Sequence, residues 1–158
     1  HPEVTTLLSG MNKEIHIEEN LAIADEAEPD SLSPAELKLV DQVEQKYHEL
    51  MKVGCTGCGY CMPCPEGVMI PGIFEVYNTM HMFGDEKVAQ LSYALRMSGE
   101  ISGQEPGFAS QCVQCGECME KCPQQLEIID HLAAACKEME SGDMQHRVKM
   151  VTERIKVK

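Results

Sequence analysis

Eight of the nine cysteines stand in two short bursts. The first is Cys55-x2-Cys58-x2-Cys61-x2-Cys64-Pro65 and the second is Cys112-x2-Cys115-x2-Cys118-x3-Cys122-Pro123. Three thiolates stepped three residues apart wrap a tight loop around one iron–sulfur cube, each reaching a different iron corner, so the fourth ligand comes from elsewhere. Structural zinc instead uses two C-x2-C pairs separated by roughly 12–20 residues. Disulfides are disfavoured because thiols this close along a loop are poorly placed to bridge one another. The bursts therefore predict two [4Fe–4S] clusters.

In proteins that carry two such clusters, the fourth cysteine of each run serves the opposite cluster. This crossed assignment gives cluster I Cys55, Cys58, Cys61 and Cys122, and cluster II Cys112, Cys115, Cys118 and Cys64. The x2 spacing before Cys64, where the usual run has x3, leaves open an uncrossed arrangement in which each burst holds its own cluster. A cubane held by four cysteines has no corner open to substrate and moves one electron at a time, at a potential set by charge, hydrogen bonds to sulfur and exposure. Gly57, Gly59 and Gly116 allow backbone N–H groups to approach the sulfurs, with Gly54, Gly57 and Gly59 equally readable as loop-forming residues only. Tyr60 and Met62 are candidates to shield cluster I, with plain packing as the alternative. Cys136, the ninth cysteine, sits between Ala135 and Lys137 in a helical stretch and reads as a packing thiol. The six histidines show no ligand spacing with one another.

The elements that position these loops repeat. Cys64, Pro65, Val68, Ile70 and Phe74 match Cys122, Pro123, Leu126, Ile128 and Leu132 at an offset of 58, whereas the first three cysteines of each burst match at 57. The residue missing before Cys64 accounts for the difference. Each repeat reads as cluster loop, proline exit, and a helix whose apolar face covers the cluster, with the two units facing each other about a pseudo-two-fold axis. Between the bursts, Pro71 opens a helix that Gly84 can end, and Asp85 starts another carrying Val88, Leu91, Leu95 and Met97. Residues 98–107 form a Gly-rich loop. A further helix spans about 127–140 before Ser141-Gly142 breaks it.

Upstream, residues 4–8 read as a short β-branched strand, 9–12 as a turn, and the stretch from Ile15 to Ile23 as a helix. Ser33, Pro34 and Glu36 make a capping box for a helix over about 34–52, with Leu37, Val40, Val43, Tyr47, Leu50 and Met51 on one face that should pack against a neighbour. Beyond residue 8 almost nothing alternates with period two, so the bulk of the chain is helical.

Composition limits the functions available. The 158 residues carry 26 acidic and 13 basic side chains, a formal charge of −13, which excludes a nucleic-acid partner of the usual basic-stripe kind. No apolar run approaches the roughly 18 residues of a membrane span. A (β/α)8 barrel takes about 250 residues, so a whole barrel does not fit. Nine cysteines, eight of them in tight bursts, fit a metal protein kept reduced better than a disulfide scaffold, and oxygen-sensitive cubanes point to an anaerobic cytoplasm. The chain opens on His1 with no signal-peptide pattern, and this start reads as a cut. The first 50 residues hold twelve acidic against three basic side chains, and residues 143–158 five basic against two acidic, an asymmetry most simply read as solvated faces.

The segment V-T-T-L-L-S-G-M-N-K-E-I-H-I-E-E-N-L-A-I-A-D resembles the last strand and helix of the aldo/keto reductase barrel, and L-S-P-A-E-L-K-L-V resembles that family's exit helix. G-C-T-G-C-G-Y-C-M-P-C-P-E-G-V-x-I-P and C-V-Q-C-G-E-C-M-E-K-C-P resemble the C-terminal ferredoxin segment of its iron–sulfur branch. The resemblance covers nearly the whole chain to about residue 140. It implies a mainly α fold: an α-helical ferredoxin-type domain with a pseudo-two-fold repeat, preceded by a short βα remnant of a (β/α)8 barrel. It further implies that Ser9, Gly10, Met11, His16, Glu19 and Asn20 lie where the family holds the phosphate-bearing adenosine end of NADP(H) or NAD(H), in the full-length parent only. A helix N-terminus and turn amides suit phosphate, although the same residues can simply cap a helix. The family's catalytic Tyr, Lys, Asp and His belong to earlier barrel strands, so no catalytic residue is assigned here.

The expected organisation is a barrel-like βα fragment over 1–32, a connecting helix over 33–53, a dicluster ferredoxin-like domain over 54–140 and a basic tail over 141–158. The expected function is electron transfer as the C-terminal module of a nicotinamide-dependent oxidoreductase, with the missing N-terminal barrel or a redox protein as partner. Two alternatives remain: a structural docking domain folded by its clusters, and a free-standing dicluster subunit of an anaerobic oxidoreductase.

Overall fold

The computed structural model describes residues 5–156, which divide into two compact units with the boundary between Gln45 and Lys46. Seven α-helices and no strand occur among the described residues. The strand expected at 4–8 is therefore a correction. Residues 5–8 carry no secondary structure, Val4 lies outside the described residues, and a strand without a second strand has no ladder to complete its hydrogen bonds.

In the first unit, α1 spans Glu14–Glu26 and buries none of its residues. Helix α2, Pro34–Leu50, begins in this unit, and its capping box forms as the sequence predicts. The Glu36 N–H donates to Ser33 Oγ at 3.3 Å, while the Ser33 N–H donates to Glu36 Oε2 at 2.8 Å. The apolar stripe of α2 stays about half exposed, with Val40 at 53% and Tyr47 at 53%. Among the described residues this face finds little of the packing expected of it, Leu50 and Met51 alone being partly covered.

The second unit holds the core. Helix α3, Ile70–Phe83, has Pro71 in its first turn and ends at Gly84, whose φ of 72° places it in the left-handed region and whose N–H donates to the Met80 carbonyl. Asp85 then caps α4, Glu86–Met97, by accepting from the Val88 N–H at 3.1 Å. A 3-10 turn at Ala109–Gln111 leads into the second cysteine burst, which contains the single-turn α5, Glu117–Glu120. Helix α6, Ile128–Met139, follows, and α7 covers Met144–Lys156.

Helix α3 packs on α4 and α6, and α7 packs on α4. Their shared core includes Ile70, Ile73, Phe74, Tyr93, Met97, Ile128, Leu132 and Met139, all at most 2% exposed. A two-toothed Arg96–Glu75 pair, at 3.0 and 2.6 Å, ties α4 to α3 at the surface and holds the Glu75 carboxyl below its usual range. Helix α7 lies where the sequence suggested only a basic tail. Arg147 anchors it, donating to Gln90 Oε1 at 2.8 Å and to the Met139 carbonyl at 3.1 Å.

Candidate iron–sulfur centres

The two bursts fold as copies of each other, down to single hydrogen bonds. Gly57 and Gly59 have φ of 69° and 78°, and their counterparts 57 residues on, Gln114 and Gly116, have 60° and 86°. The Met62 N–H donates to the Gly59 carbonyl at 2.9 Å, as that of Met119 does to Gly116 at 3.0 Å. Past the fourth cysteine the offset becomes 58. Gly67 and Gln125 both take positive φ and donate to the carbonyls of Cys64 and Cys122, each at 3.0 Å, and Ile70 and Ile128 both donate two residues back before opening their helices. The single residue gained in the second loop is thus absorbed between the third and fourth cysteines. In the first loop the shorter path there includes the cis Met62–Pro63 bond.

Buried and half-buried side chains fix where each loop starts. Asn78, on α3, accepts from the N–H groups of Lys52 and Val53 at 3.0 and 2.9 Å and donates to the Val53 carbonyl at 2.8 Å. This pins the chain two residues before Cys55. The second loop is pinned by Tyr93 and Glu140. The Ala109 N–H donates to the Tyr93 hydroxyl at 2.9 Å, and the Ser110 N–H donates to Glu140 Oε1 at 3.1 Å. Burial and the Glu140 carboxylate, to which the Tyr93 hydroxyl donates at 2.5 Å, push the Tyr93 phenol well above its ordinary range. Gln111 links the loops, accepting from the Phe108 N–H at 2.6 Å and donating to the Glu66 carbonyl at 3.3 Å. None of these pins carries a local sequence signature.

The cysteines gather around two cavities. Cys55, Cys58, Cys61 and Cys122 line the first, with Ile70, Phe74 and Ile128 among its walls. Cys64, Cys112, Cys115 and Cys118 line the second, walled by Ile70, Ile129 and Leu132. Cys61 and Ile70 face both. The first cavity thus takes Cys122 from the second burst, the second takes Cys64 from the first besides the shared Cys61, and the helix that follows each burst supplies apolar cover.

Cys58 and Cys115 are exposed, while the other six are partly covered. Partial burial raises the Cys61 and Cys118 thiols above their ordinary range, and the neighbouring sulfurs add to it. For Cys118 those neighbours are Cys112, Cys115 and Cys64. A cation-rich group at the centre of such a set reverses this repulsion, because it binds the thiolate form. The Gly57 N–H donates to Cys55 Sγ at 3.4 Å. Tyr60 is 67% exposed and lines neither cavity, nor does Met62 or Cys136. Cys136 packs against the core, its thiol raised by burial and by Glu140.

Among the described residues, no three His, Cys, Asp or Glu side chains are placed to hold a single metal ion. Four thiolates around a cube stand farther apart than four around one ion, so the donor set fits the larger group. Residues 54–127 match the family model described as a 4Fe-4S dicluster domain. Over this segment the match supports an iron–sulfur, ferredoxin-like domain. The match supports iron–sulfur electron transfer by the dicluster domain, and its span takes in both bursts. No curated protein and no solved structure matches the chain. No helix among the described residues is long and apolar enough to cross a membrane.

The residues assigned by resemblance to a nicotinamide cofactor lie in the first unit. Asn20 donates to Ser9 Oγ at 3.1 Å, which brings the turn and α1 together. Gly10, Met11 and Glu19 are exposed, and His16 and Asn20 are partly so. Glu14 already places a carboxylate in the first turn of α1, where a phosphate would otherwise be favoured.

Proposed function

We propose that this chain is the electron-relay module of an aldo/keto reductase-like, nicotinamide-dependent oxidoreductase, with Cys55, Cys58, Cys61 and Cys122 holding one [4Fe–4S] cluster and Cys64, Cys112, Cys115 and Cys118 the other. The observation that carries this reading is the grouping of the eight cysteines into two crossed sets of four around adjacent cavities that share Cys61 and Ile70. A cubane held by four thiolates exchanges one electron at a time without binding substrate. The chain's own part is to fix the loop starts through Asn78, Tyr93 and Glu140, and to wall the sites with Ile70, Phe74 and Leu132 against water.

Support for a barrel partner comes from the first unit. Ile15, Leu21, Ile23, Leu37 and Val43 are between 42% and 65% exposed on α1 and α2, more bare apolar surface than two helices normally leave open. The missing barrel of the same polypeptide is the cover that the sequence resemblance implies. The nicotinamide belongs to that parent, where Ser9, Gly10, Met11, His16, Glu19 and Asn20 would form one edge of its site. A reducing, anaerobic cytoplasm suits clusters with exposed cysteines.

The test is anaerobic reconstitution with iron and sulfide, followed by elemental analysis and EPR of the reduced protein. Two cubanes' worth of both elements and the signal of two interacting clusters are expected. A colourless protein that retains zinc overturns the reading. Full loading with no redox change, together with unfolding on cluster removal, would make this a structural docking domain.

A further inference from the structure

The two halves repeat in backbone but not in charge. The first loop hangs from Asn78, a neutral amide. The residue 58 positions on is Cys136, which offers no comparable acceptor. Its place is taken by Glu140, one helical turn further along, whose Oε1 accepts both the Ser110 N–H at 3.1 Å and the Tyr93 hydroxyl at 2.5 Å. Ser110 precedes Cys112 by two residues, so a carboxylate sits against the start of the second loop where an amide serves the first.

The cavity walls differ in the same sense. No charged side chain lines the first cavity. Glu66, Glu117 and Lys121 line the second, and Lys121 pairs with Glu117 at 3.7 Å. Glu140 is partly buried over the fully buried Tyr93 ring, so water and salt screen its charge less than they screen the exposed Glu66 and Glu117. A fixed negative charge near a cluster opposes the arrival of an electron.

We propose that Glu140 makes the second site, that of Cys64, Cys112, Cys115 and Cys118, the harder of the two to reduce, so that an electron taken up by the pair rests on the first. This rests on the two-cluster reading above and extends it to the role of one residue. Glu140 acts as a positioning residue and as a fixed charge, and its charge is what the test must isolate. Glu140→Gln keeps an oxygen acceptor for Ser110 and Tyr93 while removing the charge.

The experiment is an EPR-monitored redox titration of the reconstituted chain and of Glu140→Gln, after iron and sulfide have been counted in both. An unmodified chain that holds no iron overturns the two-cluster reading itself, before any potential is measured. With both sites loaded, the unmodified chain should show two separate midpoints, and in Glu140→Gln the lower should rise while the upper moves little. A single midpoint in the unmodified chain, or an unmoved lower midpoint in the variant, overturns the proposal. Should Glu140→Gln lose iron from one site, Asn78→Asp decides. It places a carboxylate at the first loop while keeping the acceptor for Lys52 and Val53. A fall of the upper midpoint supports the charge argument, and an unchanged one overturns it.

Discussion

Asn78 and Val53 bond to each other twice, through the Val53 N–H to Asn78 Oδ1 at 2.9 Å and the Asn78 amide to the Val53 carbonyl at 2.8 Å. Val53 is fully buried and Asn78 only 9% exposed, so neither backbone group has water to fall back on. Truncation to Asn78→Ala should cost about 2–4 kcal/mol, because it strands buried donors and acceptors. Denaturant unfolding of the loaded protein measures this. Wild-type stability in the variant would show that the loop start is held by other means.

The crossed pairing of cysteines can be read by counting iron in two double variants. Cys55→Ser with Cys122→Ser strikes only the first site if the pairing is crossed, and should leave one cubane per chain. Cys55→Ser with Cys64→Ser strikes both sites and should leave little iron. The uncrossed arrangement reverses the two results.

Gly99 is expected to tolerate no side chain. Its φ is +78°, and a Cβ there would stand 2.0 Å from the Gln104 carbonyl oxygen. Gly99→Ala should lose roughly 2–4 kcal/mol, from the left-handed backbone and from displacement of the 99–104 turn. Thermal melting checks this, and a shift of only a degree or two would argue against the close approach.

Alkaline pH should weaken the α3–α6 contact. Tyr77 donates to Glu138 Oε1 at 2.7 Å, and burial, then this bond, push its phenol up to about 12. A phenol held protonated more tightly in the folded chain contributes stability that is whole below about pH 10, the unfolded value, and fades as pH rises toward 12. Stability curves of the unmodified chain and Tyr77→Phe should therefore converge over that range. Parallel curves would remove Tyr77 as the cause.

Chelating the iron should spare the helices. None of the eight burst cysteines belongs to the buried core around Ile73, Tyr93 and Met97, although six of them pack against its edge. Far-UV circular dichroism should keep most of its helical signal, while residues 55–64 and 112–122 become sites of proteolytic cutting. Complete loss of helicity would show that the clusters hold the whole fold.

Much of this was legible in the sequence because it rests on local chemistry. The capping box at Ser33, the stop at Gly84 and the cap at Asp85 each depend on residues a few positions apart, and the cysteine repeat sets its own offset. What escaped was long-range. Asn78 reaches 25 residues back to Val53, and Glu140 reaches 30 back to Ser110, so no window along the chain reveals either. Helix α7 escaped because its sequence is mostly polar and its anchor, Arg147, finds partners on α4 and α6. Residues 5–8 form no strand for the converse reason, since β-branched residues favour extended backbone but cannot supply the neighbour that a strand requires.

Ile70 and Cys61 form a partition common to two chambers. Any swelling or shrinking of Ile70 is felt on both sides at once, so no substitution there can adjust one chamber alone. Selective adjustment has to begin at residues fronting a single chamber, such as Phe74 for the first or Leu132 for the second.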